Sequence, residues 1–297
     1  MSKIAFLFPG QGSQSVGMEK ELLAVYPQAE EIFQQANEIL GYNLKEIIAQ
    51  GPEEKLRQTI ITQPAVFTTS VGYWRYLQQR GITSGIVAGH SLGEYSALVA
   101  AGVVEFSDGL KVVQKRAGIL EEAARRNPGG MAAIVGLDKE KVVELCQQVE
   151  SSGFVQPVNF NCPGQIVVAG VNQALDNLTV QAEAAGALKV IRLNVSGPFH
   201  SALLKEAAEE MRKELAGFVF KTPSRPLVGN YDAKISLSAE KIKENLVFQI
   251  YHPVLWEDSI KAILEWGAEE FIEVGPGQAL SGLLRRIDKK AKVVKFK

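Results

Sequence analysis

The chain is poor in the residues that most often mark a secreted scaffold or a metal centre. Its 297 residues include only two cysteines, Cys146 and Cys162, and three histidines, His90, His200 and His252. So few cysteines exclude a disulfide framework, and two scattered ones read as reduced thiols of a cytosolic protein. No metal-ligand spacing occurs, so no metal is expected. An excess of one charge is also missing. The 32 basic and 33 acidic residues leave a net charge of −1, without the strongly basic footprint of a nucleic-acid binder. An acidic partner would have to meet a local basic patch. Long apolar runs are absent as well. The first, Ile4 to Phe8, stops at Pro9-Gly10 and is too short for a signal sequence or a membrane span. No later stretch reaches that length, and a cytoplasmic protein without membrane attachment is expected.

What is present is ample core material. Hydrophobic residues make up 46% and charged residues 22%, an ordinary globular balance, in one large domain or two ordinary ones of roughly 150 residues each. Ile4 to Phe8, Gly85 to Gly89 and Glu270 to Val274 are short apolar runs bounded by turn residues, as in parallel strands buried on both faces. Helical stretches from Leu92 to Ala101 and from Gln278 to Ile287 follow two of them, and Gly102 falls where a helix C-cap belongs. This order predicts a parallel α/β sheet.

Between Pro128 and Val195 the pattern changes. It reads as strand (Met131 to Val135), helix (Lys139 to Val149), strand (Val155 to Asn159), strand (Gln165 to Gly170), helix (Asn172 to Ala185) and strand (Leu188 to Leu193). The order βαββαβ is ferredoxin-like. It predicts a unit of residues 128–195 inserted into a larger α/β domain of residues 1–127 and 196–297. Asn127-Pro128-Gly129-Gly130 marks the entry and Ser196-Gly197-Pro198 the exit.

Gly89-His90-Ser91-Leu92-Gly93 places a serine between a predicted strand and a predicted helix. A sharp turn there exposes the hydroxyl, and the flanking glycines let strand and helix pass closely. The Leu92 N–H would lie at the helix start, where free donors favour an oxyanion. The plain alternative is a Gly-rich connection without chemistry; the strand before and the helix after favour a nucleophile. For its base, His90 is too close along the chain to turn back on Ser91 and reads as structural. His252, in Tyr251-His252-Pro253, reads as a loop residue. His200 sits where the inserted unit rejoins the main domain, and clefts form at such junctions, so His200 is the expected general base.

The helix predicted from Leu110 to Arg126 carries a charge in the wrong place. At about 100° per residue, Leu110, Val112, Val113, Ala117, Ile119, Leu120, Ala123 and Ala124 share one arc, and Arg116 projects near its centre. Snorkelling works at the edge of such a face and poorly at its middle. The guanidinium must find an anion, either a buried Asp or Glu or the carboxylate of a substrate. The pattern leaves both open.

Phe8-Pro9-Gly10-Gln11-Gly12-Ser13-Gln14, Thr62-Gln63-Pro64-Ala65, Gly89 to Glu94, Gln114-Lys115-Arg116 and Gly197-Pro198-Phe199-His200-Ser201 together resemble the malonyl-CoA:acyl-carrier-protein transacylases. Asn245 to Trp256 and Val274 to Gly277 do so too, in the family's order along almost the whole chain. The resemblance implies an α/β-hydrolase-like larger domain with the ferredoxin-like insertion. It implies ping-pong transfer of malonate from malonyl-CoA through Ser91 to the phosphopantetheine thiol of acyl carrier protein, needing no cofactor beyond the coenzyme A thioester. His200 would be the base, the backbone N–H groups of Gln11 and Leu92 the oxyanion hole, and Arg116 the clamp on the malonyl carboxylate. His200 would be oriented by the backbone carbonyl of Gln249 rather than by an acid. Gln63 resembles the glutamine lining the acyl pocket. Phe199 resembles the aromatic of malonyl-selective members, where methylmalonyl-selective ones carry a small residue. Ala117, where many members have glycine, is a small departure.

Rival readings are an acyltransferase or acyl hydrolase of a polyketide pathway with other acyl selectivity, a lipase-type esterase, and a silent scaffold. Arg116 opposes the esterase, because an apolar acyl chain would leave it unpaired. Lys115, Arg125 and Arg126 are candidates for an acyl-carrier-protein patch. No coiled coil or large apolar stripe demands an oligomer, so a monomer is expected.

Overall fold

Ile4–Phe8 lies inside a six-stranded sheet, and its alternation explains its continuous apolarity: Phe6 and Phe8 join one core, Ala5 and Leu7 another. The computed structural model describes residues 2–294; Met1 and residues 295–297, the outer ends of the predicted larger unit, lie outside the described residues. In chain order the strands are β1 (Ile4–Phe8), β2 (Ile86–Gly89), β3 (Gly130–Val135), β4 (Val155–Cys162), β5 (Gln165–Gly170), β6 (Lys189–Arg192), β7 (Leu227–Val228), β8 (Ile235–Ser236), β9 (Glu270–Glu273) and β10 (Lys292–Val293).

The larger sheet has the order β10-β9-β1-β2-β7-β8. All its pairings are parallel except β7 with β8. β1 and β2 run side by side with Phe8 opposite Gly89, so the turns that follow them leave the sheet at the same end. The two-residue strands β7, β8 and β10 have no pattern to announce them, and the sequence missed all three.

The second sheet is antiparallel, in the order β4-β5-β3-β6. Its elements follow the predicted order, with helices Lys139–Gln148 and Asn172–Ala184 between the strands. Successive side chains of a strand face opposite ways, and this sheet uses both faces. Ala132, Ile134, Ile166 and Val168 pack under Val142, Leu145, Leu175 and Leu178 of those helices. Met131, Ala133, Val167 and Ala169 join the main core instead. The smaller sheet is therefore packed directly against the main core. The chain is a mixed α/β protein with one largely parallel and one antiparallel sheet. Cys146 and Cys162 are buried and unpaired. Among the described residues no helix is long and apolar enough to cross a membrane.

Candidate active site

Ser91 stands between β2 and the helix Gly93–Ala100 with φ at +51°, in the left-handed region that a serine rarely adopts. The glycines that frame it are there for space. A Cβ on Gly89 would lie 2.0 Å from the main chain of Gly93, and one on Gly93 would lie 2.0 Å from the Phe8 carbonyl oxygen. Strand, turn and helix thus touch backbone to backbone. The turn is braced from the next strand over. Asn230, just past β7, accepts the Ser91 N–H at 2.6 Å and donates to the Gly89 carbonyl at 2.7 Å. Asn230 carries no sequence signal, and its 139-residue separation from Ser91 hides the contact.

His200 is the histidine that reaches the serine. Its Nε2 lies 2.7 Å from Ser91 Oγ, and its Nδ1 lies 2.7 Å from the Gln249 carbonyl oxygen. A carbonyl can only accept, so Nδ1 carries the hydrogen and Nε2 turns its lone pair to the Ser91 hydroxyl. The orienting partner is a backbone carbonyl, not an acid. His200 also has a left-handed backbone, φ +60°. Burial, and then the nearby Arg116 cation, push its pKa down to about 3. The ring is therefore neutral, in the form that accepts a proton. His90 turns away, bonding Asn161 at 2.9 Å and packing edge-on against Trp256. His252 sits in a cluster with Tyr231, Phe248 and Tyr251, away from the serine.

Arg116 is 1% exposed on the helix Phe106–Arg126, which starts four residues earlier than its periodicity predicts. Of the predicted arc only Ile119 is not fully buried. The guanidinium donates to Gln63 Oε1 at 2.8 Å, Gln249 Oε1 at 3.0 Å and Ser91 Oγ at 3.1 Å. It also lies over the Tyr95 ring, 5.3 Å from its centre. Its Nε has no hydrogen-bond partner, and among the described residues no carboxylate forms an ion pair with it. Of the two anions the sequence left open, the protein's own is not within ion-pair distance. The site holds a buried cation beside the Ser91 hydroxyl, bonded to the neutral amides of Gln63 and Gln249.

Gln11, Gln63, Phe199, Met131, Asn159 and Leu193 line a cleft of about 90 Å³ over Ser91, Arg116 and His200. Phe199, among these lining residues, is 6% exposed. Gln63 Nε2 reaches Gln11 Oε1 at 3.4 Å. Among the described residues the main-chain N–H groups of Gln11 and Leu92 donate to no main-chain carbonyl. A larger depression of about 760 Å³ around Met18, Pro276 and Gln278 contains none of the three histidines.

Gln249 does more than offer its carbonyl. It is wholly buried; its amide nitrogen donates to the Ser91 carbonyl at 3.0 Å and to Glu94 Oε2 at 2.8 Å. Glu94, 1% exposed, is raised to about 7 by burial, which its bonds from Gln249 and Asn230 only partly oppose. Lys115, Arg125 and Arg126 project outward, and each already faces a carboxylate, Glu214, Glu122 and both Glu122 and Glu210 respectively.

Comparison with known proteins places these features in company. The family model described as "Acyl transferase domain" matches residues 5–294. A malonyl CoA-acyl carrier protein transacylase of Salmonella typhimurium is 46% identical over 288 residues, covering 97% of this chain and 93% of that protein. Its counterpart in Bacillus subtilis is 43% identical over 295 residues, covering 99% and 93%. Among solved structures, a type II PKS acyl-carrier protein in complex with its malonyl-transacylase matches with a TM-score of 0.95 at 43% identity, covering 98% of this chain and 95% of that one. An acyl carrier protein S-malonyltransferase of Vibrio cholerae matches at 0.94 and 42%, covering 100% and 97%.

Proposed function

Because the chain belongs to the acyl transferase domain family, we propose that it carries malonate from malonyl-CoA to the phosphopantetheine thiol of acyl carrier protein by way of a malonyl-Ser91 ester. The observation that carries this reading is Arg116, a buried cation with no carboxylate of its own, 3.1 Å from the Ser91 hydroxyl. An acyl group ending in a carboxylate supplies the missing anion, through charge-assisted hydrogen bonds that a neutral acyl chain cannot make.

Ser91 Oγ attacks the thioester carbonyl while His200 Nε2 takes its proton. The oxyanion rests on the N–H groups of Gln11 and Leu92. The C–S bond then breaks, coenzyme A leaves as its thiol with the proton from His200, and malonyl-Ser91 remains. In the second half the carrier thiol gives its proton to His200 and attacks the ester carbonyl; the ester C–O bond breaks, and His200 returns the proton to Ser91 Oγ. His200 needs no acid behind it, because the Gln249 carbonyl stabilises the Nδ1–H of both its neutral and its charged form. That arrangement, together with Arg116, disfavours the esterase and hydrolase readings. Phe199 narrows the space beside the α-carbon, where one extra methyl is worth about 1–3 kcal/mol of discrimination.

We read the architecture as an α/β-hydrolase-like domain, residues 1–127 and 196–297, with a ferredoxin-like insertion, residues 128–195. The βαββαβ order and the antiparallel order β4-β5-β3-β6 support the second part. The same reading makes the protein a cytoplasmic monomer that uses no cofactor apart from its thioester substrate. Incubation with radiolabelled malonyl-CoA is expected to leave an acid-stable label on the wild type and none on Ser91→Ala. An unlabelled wild type would end the acyl-enzyme reading.

A further inference from the structure

Glu94 takes no part in the steps above, yet it is the buried carboxyl group at the centre of the site's hydrogen bonds. It is 1% exposed, and among the described residues it forms no ion pair. Burying a carboxyl group is costly to its charged form, and the hydrogen bonds from Gln249 and Asn230 are the largest influences that oppose that cost. Oε2 accepts from Gln249 Nε2 at 2.8 Å and from the Asn230 N–H at 3.1 Å, while Oε1 has no partner.

Those two donors hold the nucleophile from both sides. Asn230 accepts the Ser91 N–H, and Gln249 donates to the Ser91 carbonyl. Gln249 is also the residue whose Oε1 receives Arg116. A glutamine amide can turn either end to a neighbour, and its two ends are chemically opposite. With its nitrogen toward Arg116 it would set donor against donor and push the guanidinium away. On its far side stand Glu94 Oε2 and the Ser91 carbonyl, both acceptors. They demand the nitrogen, which leaves the oxygen for Arg116.

We propose that Glu94 is a positioning residue for the transfer reaction: it sets the direction of the Gln249 amide and anchors Asn230, and so places the Arg116 guanidinium and the Ser91 main chain. The inference rests on the reading of Arg116 as the malonate clamp. It makes a distinction that mere filling of the core would not. Loss of Glu94 should injure transfer of an acyl group with a carboxylate more than transfer of a neutral one.

The test compares kcat/KM for malonyl-CoA and acetyl-CoA in the wild type, Glu94→Leu, Glu94→Gln and Glu94→Asp. Leucine keeps the bulk and offers no acceptor. Its malonyl-to-acetyl ratio is expected to fall about tenfold or more, the scale of one mis-set hydrogen bond to a charge. Glutamine keeps one acceptor oxygen at the same reach and should restore the ratio to within about threefold of wild type. A leucine variant whose two activities fall together, or not at all, would overturn the proposal, as would a glutamine variant no better than leucine. If the leucine variant does not fold, aspartate is read in its place, since it withdraws the acceptor by one methylene; a wild-type ratio there overturns the idea equally. A wild type that shows no preference for malonyl would instead refute the malonate clamp itself.

Discussion

Arg116→Ala is the sharpest test of the site, because the structure assigns the residue three hydrogen bonds and no anion. A carboxylate arriving in the cleft would replace part of that set with bonds between full charges, each worth about 1.5–3 kcal/mol. Two such bonds, less the donation to Ser91 Oγ that the guanidinium gives up, leave about 3–4 kcal/mol for the malonyl group. That corresponds to a loss on the order of 10²–10³ in kcat/KM for malonyl-CoA. Acetyl-CoA has no carboxylate to lose and should fall by no more than about tenfold, through the lost contact with the serine. The assay is transfer of each acyl group to one carrier protein, with competing malonyl-, methylmalonyl- and acetyl-CoA as a second format. Acetyl transfer serves as the internal control for folding. Unchanged malonyl transfer would refute the clamp, and so would equal losses for both acyl groups, which would reduce Arg116 to a support for Ser91.

His200→Ala should lower the acylation rate of Ser91 by about 10²–10⁴, the usual contribution of a positioned base; stopped-flow release of coenzyme A reads it, and a loss under tenfold would break the assigned pair. The pH profile gives an independent check. With the His200 pKa pushed down to about 3, kcat/KM of the Glu94→Gln variant, which removes the carboxyl raised to about 7, should stay level as pH falls through 6.5, and an acidic limb centred there would contradict the buried, neutral ring. The same depressed value has a consequence for stability. The unfolded chain takes up this proton first, so the contribution of His200 is present above pH 6.5 and is lost as pH falls toward 3. Gly93→Ala forces a Cβ to within 2.0 Å of the Phe8 carbonyl oxygen. It should cost about 3 kcal/mol or more, seen as a lower thermal midpoint, and an unchanged midpoint would mean that strand and helix can part freely.

Ser91, Arg116 and the βαββαβ order were legible because each is written locally. A turn needs its glycines two residues either side of the serine, and a helix reports a misplaced charge every 3.6 residues. Asn230 and the side chain of Gln249 were not legible, since their meaning lies in contacts across 139 and 158 residues. The resemblance pointed to the Gln249 carbonyl but was silent on its amide. Glu94 stood in the quoted motif, and no periodicity distinguishes a buried carboxylate at the start of a helix from an ordinary acidic first turn. The surroundings of the candidate basic patch were hidden for a related reason: sequence counts Lys115 and Arg126 as charges, while Glu214 and Glu210, which face them, lie on another helix.

The pairing of Phe8 with Gly89 has a further consequence. Gln11 and Leu92 each lie three residues beyond that pair, so the two proposed oxyanion donors are kept in step by equal chain lengths measured from one rung of the sheet. Surface turns ordinarily tolerate insertions, because the elements they join do not depend on them. These two do not share that latitude. One residue added after Phe8, or removed after Gly89, would leave the rung intact and spoil the spacing. On the proposed mechanism the length of both turns is thereby held by catalysis as well as by packing.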